Sequence, residues 1–451
     1  MNTPKEEYAA PNDTEWEEIE WREIEQYVEK MQRRIYHAEY HKKYRKVREM
    51  QRLLMRSEAG MLISVKKVSE SVKRGLSTKE KLGIYNELGE RKLELHRPKR
   101  GYRRYFEAER EELREIDIAV MRDRIYQNVV KMALEAQWKA KFESGFYGVG
   151  GKGSYREAVE QILEIVKEDK RKWIFVSEFE NNVRELNHGF IMKLVKGFPG
   201  CGLIEKWLKA GYVDNRVFEV GTKKEDIIGT LLMDIALNGM ENAINARYCE
   251  EKKDERVILG KGIWYKVVNY GRDFVVMCQR EEEAEKVKEL IKPYLQERGL
   301  GISQGRTVHI DNGFDFIGFN VRSMNKGTEK VSIKPSERRV SDFKKSIALS
   351  TKKLYGSNVQ TLIRRLNPII EERANYWIKV SGKKRFSEMD KYIWEQVFKF
   401  LTRMHPKKSW KWITQRYFRE SRTGRSKWIL TDPETGIQLK KMTLTRAESK
   451  D

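Results

Sequence analysis

Only three cysteines, Cys201, Cys249 and Cys278, occur in this chain of 451 residues. No two stand at zinc-ligand spacing, and three are too few for a disulfide framework. A stapled secreted fold is therefore not expected, and a reducing compartment fits. Long apolar runs are missing as well; none approaches the length of a membrane-spanning helix. A basic leader is also absent. The first 25 residues, MNTPKEEYAAPNDTEWEEIEWREIE, are acidic, whereas secretory and transit segments begin basic. The expectation is a protein that works where it is made. Internal repeats and low-complexity stretches are lacking too.

Two patterns that would carry chemistry fall short of their requirements. His37 and His41 lie one helical turn apart, the spacing of a metal pair, but neither a third ligand nor a Glu-flanked zincin pattern accompanies them. A solvated helix face is the simpler reading. The glycine-rich stretch FYGVGGKGS, residues 146 to 154, lacks the Gly-x4-Gly-Lys-Ser/Thr spacing of a phosphate-cradling loop.

Positive charge is abundant. Lysine and arginine number 91 against 68 aspartates and glutamates, for a net charge of +23. Such a surface attracts polyanions, nucleic acid first and an anionic membrane surface second. Eleven tryptophans and 20 tyrosines among those cations favour nucleic acid, because rings stack on bases. A merely soluble, lysine-rich surface is the bland alternative.

Hydrophobic spacing predicts the elements. Trp21, Ile24, Val28, Met31 and Ile35 recur at three- and four-residue steps within a helical stretch over 14–58, with Asp13 or Thr14 as its N-cap. Residues 59–120 alternate short apolar segments with dense charge, including a sign switch from Arg97–Arg104 to Glu107–Glu112 that reads as a solvated surface. Helices are expected at 121–145, 155–168, 226–246 and 281–299. A buried strand is expected at 173–179, two strands at 264–279 joined by a turn at Gly271, and a hairpin at 307–322 around Asp311-Asn312-Gly313. Residues 324–335 read as a linker. Basic helices follow at 338–355, 358–379, 387–404 and 408–420.

The turn Tyr270-Gly271-Arg272-Asp273 stands where a polymerase palm carries Tyr-x-Asp-Asp, whose carboxylates hold two Mg²⁺ ions. Its neighbours strengthen the comparison. The segment GFDFIGFNVR, residues 313–322, is similar to a Gly-Phe-x-Phe-Leu-Gly motif. RGLGISQGRT, 298–307, resembles Arg-Gly-Leu-x-Leu-Ser-x-x-Lys-Thr, with Arg306 for the lysine. MRDRIYQNVVKMALEAQWKAKF, 121–142, and WLKAGYVDN, 207–215, resemble two helical motifs of the same group. KPS at 334–336, LIRRLNPIIEERANYW at 362–377 and HPKKSWKWITQRYF at 405–418 resemble a maturase-specific thumb, and 16–57 resembles the N-terminal domain of cyanobacterial and chloroplast-type members. Over nearly its whole length the chain thus resembles group II intron-encoded reverse transcriptase/maturases.

The departures fall where chemistry belongs. The first palm motif reads EFENNVRELNH, with Glu178 for a metal-binding aspartate and Arg184 for the second. At the turn, Arg272 replaces the first aspartate and Asp273 remains. An arginine there repels Mg²⁺ and is expected to pair with Asp273 or Glu178. The Gly-x-Pro-Gln-Gly loop reads GTKKED from Gly221, and a Phe-Arg-Pro motif is replaced by GVGGKGS. No cysteine follows Phe418, so the family's metal-binding endonuclease module is not expected. His188 and His405 match family positions without a nucleophile beside them.

The resemblance implies an α+β chain: right-hand fingers and palm with a mixed sheet, followed by an all-α thumb-like maturase domain. The boundaries it implies are an N-terminal helical domain at 1–75, a degenerate fingers and palm at 76–325, the thumb at 326–430 and a tail at 431–451. It implies a maturase-like RNA-binding role in splicing, without catalysis, metal or cofactor, on a group II-like intron RNA within a pre-mRNA. RNA contacts are expected at Lys334, Arg364, Arg365, Lys383, Lys384, Arg385, Lys407, Lys408, Trp410, Lys411, Arg416 and Tyr417, with Trp377, Leu362, Ile363, Leu366, Ile369 and Ile370 as core. No membrane is involved; a homodimer and host splicing factors stay open as partners. A plastid-encoded protein is expected, with a bacterial cytoplasm as the alternative. Two other readings stay open: an active reverse transcriptase with a rewired metal site, and a module for another RNA client.

Overall fold

Apolar stripes at helical spacing build the first layer. The computed structural model describes residues 16–17, 19–70, 76–89, 93, 96–98, 118–148, 154–168, 171–179, 186–210, 227–251, 265–323, 331–378, 383–420 and 428–445. Helix α1 (Trp21–Tyr40) buries Ile24, Val28, Met31 and Ile35 along one side. It stops at Lys42, whose φ of 57° no helix continues. Helix α2 (Tyr44–Arg56) buries Val47, Gln51 and Leu54. Helices α3 (Glu58–Glu70) and α4 (Thr78–Gly89) follow. Ser77 opens α4 with a capping box: its hydroxyl accepts from the Glu80 amide while Glu80 accepts from the Ser77 amide.

Helices α1, α2 and α3 all pack on α5 (Ile118–Trp138). Polar groups fix the register of that packing. Gln51 Nε2 donates to the Ala133 carbonyl (3.3 Å) and to Gln137 Oε1 (2.8 Å), and Gln137 Nε2 donates to Glu39 Oε2 (3.0 Å). Gln32 Nε2 donates to the Met132 carbonyl at 3.0 Å. Sliding one helix by a turn would strand these groups without partners, at about 1–3 kcal/mol each.

Beyond α5 the chain forms a mixed sheet, in spatial order β1 (Phe146–Tyr147), β3 (Lys266–Tyr270), β4 (Asp273–Cys278), β2 (Trp173–Glu178) and β5 (Arg306–His309). β1 runs parallel to β3, while β3–β4 and β4–β2 are antiparallel. The central strand β4 is buried along almost its full length, as its run of Phe, Val, Val and Met requires. Helices α6 (Tyr155–Glu168), α7 (His188–Val195), α8 (Cys201–Ala210), α9 (Gly229–Leu237), α10 (Met240–Glu251) and α11 (Glu281–Arg298) complete this part, with α11 packed on β2 and β4.

The chain divides into two units, Met1–Val308 and His309–Asp451. The second unit begins with a three-stranded antiparallel sheet, β6 (Phe314–Phe316), β7 (Phe319–Ser323) and β8 (Val331–Pro335). Helices α12 (Glu337–Lys353), α13 (Val359–Trp377), α14 (Lys383–Met404) and α15 (Trp410–Tyr417) follow, then a short ribbon of β9 (Phe418–Arg419) and β10 (Ile429–Leu430). Ser336, Asn358 and Ser409 each cap a helix by accepting an amide proton three residues on. Asp390 of α14 accepts from the Met442 amide (2.8 Å) and from the Thr443 amide and hydroxyl (3.1 and 2.6 Å), tying a 3₁₀ turn at Met442–Leu444 onto the helices.

The mixed α+β architecture and the helical C-terminal region match expectation; several details differ. The stretch 14–58 is two helices, and Asp13 and Thr14 lie outside the described residues. The helix expected at 226–246 is broken at Gly239, whose φ is 94°. The hairpin expected around Asp311-Asn312-Gly313 turns instead at Ile317-Gly318, both with positive φ, between β6 and β7; β5 belongs to the larger sheet. The thumb-like region is not all-α. The expected boundary at 325/326 and the linker at 324–335 fall between two hydrogen-bonded strands, β7 and β8, because Val331–Pro335 completes the sheet under α12.

Gly145 holds β1 to β3. A Cβ there would stand 1.8 Å from the Val267 carbonyl oxygen, and the Gly145 carbonyl accepts from the Asn269 amide at 2.9 Å. Gly145→Ala is expected to destabilise the first unit by about 1–3 kcal/mol through overpacking. A urea titration followed by circular dichroism checks it; an unchanged midpoint would mean that β1 does not approach β3 this closely.

Candidate nucleic-acid interface

Two groups of residues need to be placed, the palm-like turn in the first unit and the basic helices in the second. Strands β3 and β4 are joined by Gly271 and Arg272, with Tyr270 paired to Asp273. Gly271 adopts φ 58°, the left-handed conformation that a primed hairpin turn needs at its first central position. Glu178, last residue of β2, lies opposite Asp273, and Tyr147 of β1 lies beside Tyr270. Directly paired residues project to one face, so Tyr147, Tyr270, Asp273 and Glu178 form a row across four strands.

Arg272 is fastened to the chain end of β2. Its Nε and Nη2 donate to the Phe179 carbonyl at 3.1 and 2.8 Å, and the Phe179 amide donates back to the Arg272 carbonyl at 3.0 Å. The expected partners were the carboxylates of Asp273 or Glu178; the bonds seen go to a backbone carbonyl. The segment after α11 is stitched alongside: Ser303 donates its amide to the Glu178 carbonyl at 2.8 Å, and Ser177 Oγ donates to the Ser303 carbonyl at 3.1 Å. Phe179 stacks on Phe274 beneath the turn, with ring centroids 4.7 Å apart.

Asp234 of α9 is a residue that sequence reasoning missed. It is buried within the apolar run LLMDIAL, and its carboxylate lies 3.5 Å from where a Cβ on Gly148 would stand. Burial, then the negative charge of Asp234, pushes the Tyr270 phenol above its ordinary pKa. An acid inside an otherwise apolar helix was the available signal. Among the described residues no group of three or more His, Cys, Asp or Glu is placed to hold a metal ion. The two described acids of this row, Glu178 and Asp273, stand beside the Arg272 guanidinium. Arg184 and the loops at 149–153 and 221–226 lie outside the described residues.

In the second unit, the helical face expected to be core is core: Leu362, Ile363, Leu366, Ile370 and Trp377 are fully buried, with Ile369 half-buried. Exposed cations lie outside that core. Arg364 and Arg365 of α13, Lys334 of β8, and Lys407, Lys408, Lys411 and Arg416 around α15 are exposed. Trp410, the first residue of α15, is 53% exposed. Lys408 and Arg416 stand over the Trp412 ring at 5.2 and 5.4 Å, cation–π contacts that hold both charges at the surface.

Two expected contacts are placed differently. Arg385 is engaged within the unit by Glu337 and by Glu388 at 3.1 Å, so its charge is already answered. Tyr417 is buried; its hydroxyl shares a hydrogen bond with His405 Nε2 at 2.7 Å, and the two rings stack. Burial, and then the cations Arg416 and Lys408, hold His405 below its ordinary pKa, which favours the neutral ring beside that phenol. Tyr417 is therefore a packing residue. The side chains of Lys383 and Lys384 lie outside the described residues. Trp428, which no sequence pattern singled out, is 47% exposed and has its ring centroid 6.0 Å from that of Trp410.

Residues 16–93 match the N-terminal domain of reverse transcriptase, and residues 340–418 match the group II intron maturase-specific domain. Among curated proteins, the chain is 25% identical to Protein YkfC of Escherichia coli (strain K12), over 50% of this chain and 68% of that protein. It is 22% identical to Maturase-like protein 1 of Euglena gracilis, over 79% of this chain and 76% of that protein. Among solved structures it aligns with telomerase from Candida albicans in complex with a telomeric RNA fragment (TM-score 0.27, 10% identity, 55% of this chain and 48% of that one). Apo telomerase from Candida tropicalis aligns with a TM-score of 0.30 and 13% identity, over 61% and 54%. The chain spans about half the length of those two telomerase chains. A reverse-transcriptase N-terminal domain match near one end, a maturase-specific domain match near the other and a maturase-like relative across most of its length support a group II intron maturase-like family for this chain.

Proposed function

We propose that this protein assists splicing of a group II-type intron by binding the folded intron RNA within its pre-mRNA, and that it does so without polymerising nucleotides. The observation that carries the reading is the set of exposed cations on α13 and around α15, Arg364, Arg365, Lys407, Lys408, Lys411 and Arg416, inside the segment that matches the maturase-specific domain. Lysines and arginines there neutralise phosphates and release counterions. A group II intron is its own catalyst, and its compact form is opposed by phosphate repulsion. A protein that binds only that form stabilises it by linkage, by about 2.7 kcal/mol at a hundredfold excess over Kd. No reacting group is needed on the protein for this.

The absence of polymerisation is supported by Arg272 at a palm position, fastened to Phe179, and by two described acids where the family uses three. Primer extension on an RNA template with Mg²⁺ or Mn²⁺ is expected to give no product. Templated DNA synthesis would overturn this half of the reading.

For the binding half, five phosphate contacts from Arg364, Arg365, Lys407, Lys408 and Lys411 predict a log Kd against log salt slope of magnitude about 3.5–4.5. The triple variant K407A/K408A/K411A is expected to lower that magnitude by roughly 2–3, each lysine accounting for about one. It should also lose the stimulation of intron splicing at low Mg²⁺ that the unaltered protein gives. Equal affinity for folded intron and for unrelated RNA would point to another RNA client instead.

A further inference from the structure

Trp410 and Trp428 are two large indoles left about half in water, and both stand on rigid support. Trp428 packs on Phe418 (ring centroids 6.2 Å), Phe418 on Trp394 (6.2 Å) and Trp394 on Phe398 (5.1 Å, 16° between planes). Trp410 joins this ladder through Trp428 at 6.0 Å. The rings therefore run continuously from α14 through the β9–β10 ribbon to the tip of α15. Phe418 is buried and paired with Leu430 across that ribbon, so the base of the ladder is held by backbone hydrogen bonds. An aromatic surface fixed in this way presents its faces with little rotamer freedom left to lose on binding.

The charge beside it narrows the occupant. Lys407 and Lys408 lie in the turn that leads into α15, where the Lys408 amide donates to the His405 carbonyl at 3.1 Å, and Lys411 follows Trp410. All three are exposed. A ligand that covers two indoles and satisfies three ammonium groups must have flat apolar faces and adjacent negative charge. A nucleotide with its base unpaired meets both demands. A duplex meets only the second, because its bases already stack on one another.

We propose that Trp410 and Trp428 form a stacking platform for an unpaired base of the bound RNA, with Lys407, Lys408 and Lys411 on the neighbouring phosphates. The inference rests on the RNA-binding reading above and adds strandedness to it: the platform takes a loop, bulge or single-stranded junction.

The test compares the full-length protein with W410L/W428L, which keeps apolar bulk and removes the ring faces. Three probes are titrated: a single-stranded RNA carrying 2-aminopurine, a blunt RNA duplex of equal phosphate number, and long-chain polyphosphate. The variant should bind the single strand roughly tenfold more weakly or worse, since stacking on an aromatic is typically worth ~5- to 150-fold per base. Quenching of 2-aminopurine should be lost with it, while duplex and polyphosphate affinities change less than about twofold. The single variant W410L, at the more exposed indole, should show a partial loss with an unchanged melting curve, which guards against disturbance of the ribbon. Equal losses on all three probes, or no loss on the single strand, would overturn the platform while leaving RNA binding in place. If the unaltered protein prefers none of the RNAs over polyphosphate, the underlying reading fails and the platform with it.

Discussion

One short clasp governs the centre of the first unit. Arg272 and Phe179 exchange three hydrogen bonds, one between their backbones and two from the guanidinium. They fasten the β3–β4 turn to the end of β2, and Glu178 and Asp273 keep their register because that end is closed. A charge-assisted bond to a backbone carbonyl asks only that the donor be a planar, permanently charged fork. It is indifferent to the side chain at 179. Arg272 thus has a structural duty at the turn, where it holds the ends of β2 and of the β3–β4 hairpin together.

The second unit resolves a competition between core and surface within each helix. Along α13, Leu362, Leu366, Ile370 and Trp377 take the buried stripe, which leaves Arg364 and Arg365 outward. Around α15 the same division separates Tyr417 from its neighbour Arg416. The phenol turns in to a neutral His405, and the guanidinium lies over Trp412. Burial first, and then the cations near it, hold that histidine's pKa down, so the charges that make the surface positive also favour the neutral ring that packs on Tyr417.

Much of this was legible in the residues. The 3.6-residue stripe marks α1 and the core face of α13, and the Val-rich runs on either side of Gly271 mark β3 and β4. Ordered motifs placed the turn and the maturase-like thumb. What escaped were features decided by contacts distant in sequence. Nothing local says that Val331–Pro335 will pair with β7 and make a sheet beneath the helices. An Asp-Asn-Gly turn signal at 311–313 competes with Ile317-Gly318, and the strand pairing picks the second. Within HPKKSWKWITQRYF, helical spacing alone does not say which aromatic faces in: Tyr417 is buried and Trp410 is not. Arg385 has one partner three residues on, Glu388, but its other, Glu337, lies 48 residues away and no local pattern reveals it. Trp428 carries no pattern at all; its neighbourhood exists only once β9 and β10 have paired.

The glutamine lattice that joins α1 and α2 to α5 has a bearing on how the protein is made. Gln51 and its acceptor on Ala133 are 82 residues apart. While the chain is being synthesised, the sides of α1 and α2 that later meet α5 have no cover until that helix emerges. At about 5–20 residues per second the interval is roughly 4–16 s. For that time the apolar stripe with Ile35, Val47 and Leu54 lacks the cover that α5 later gives it.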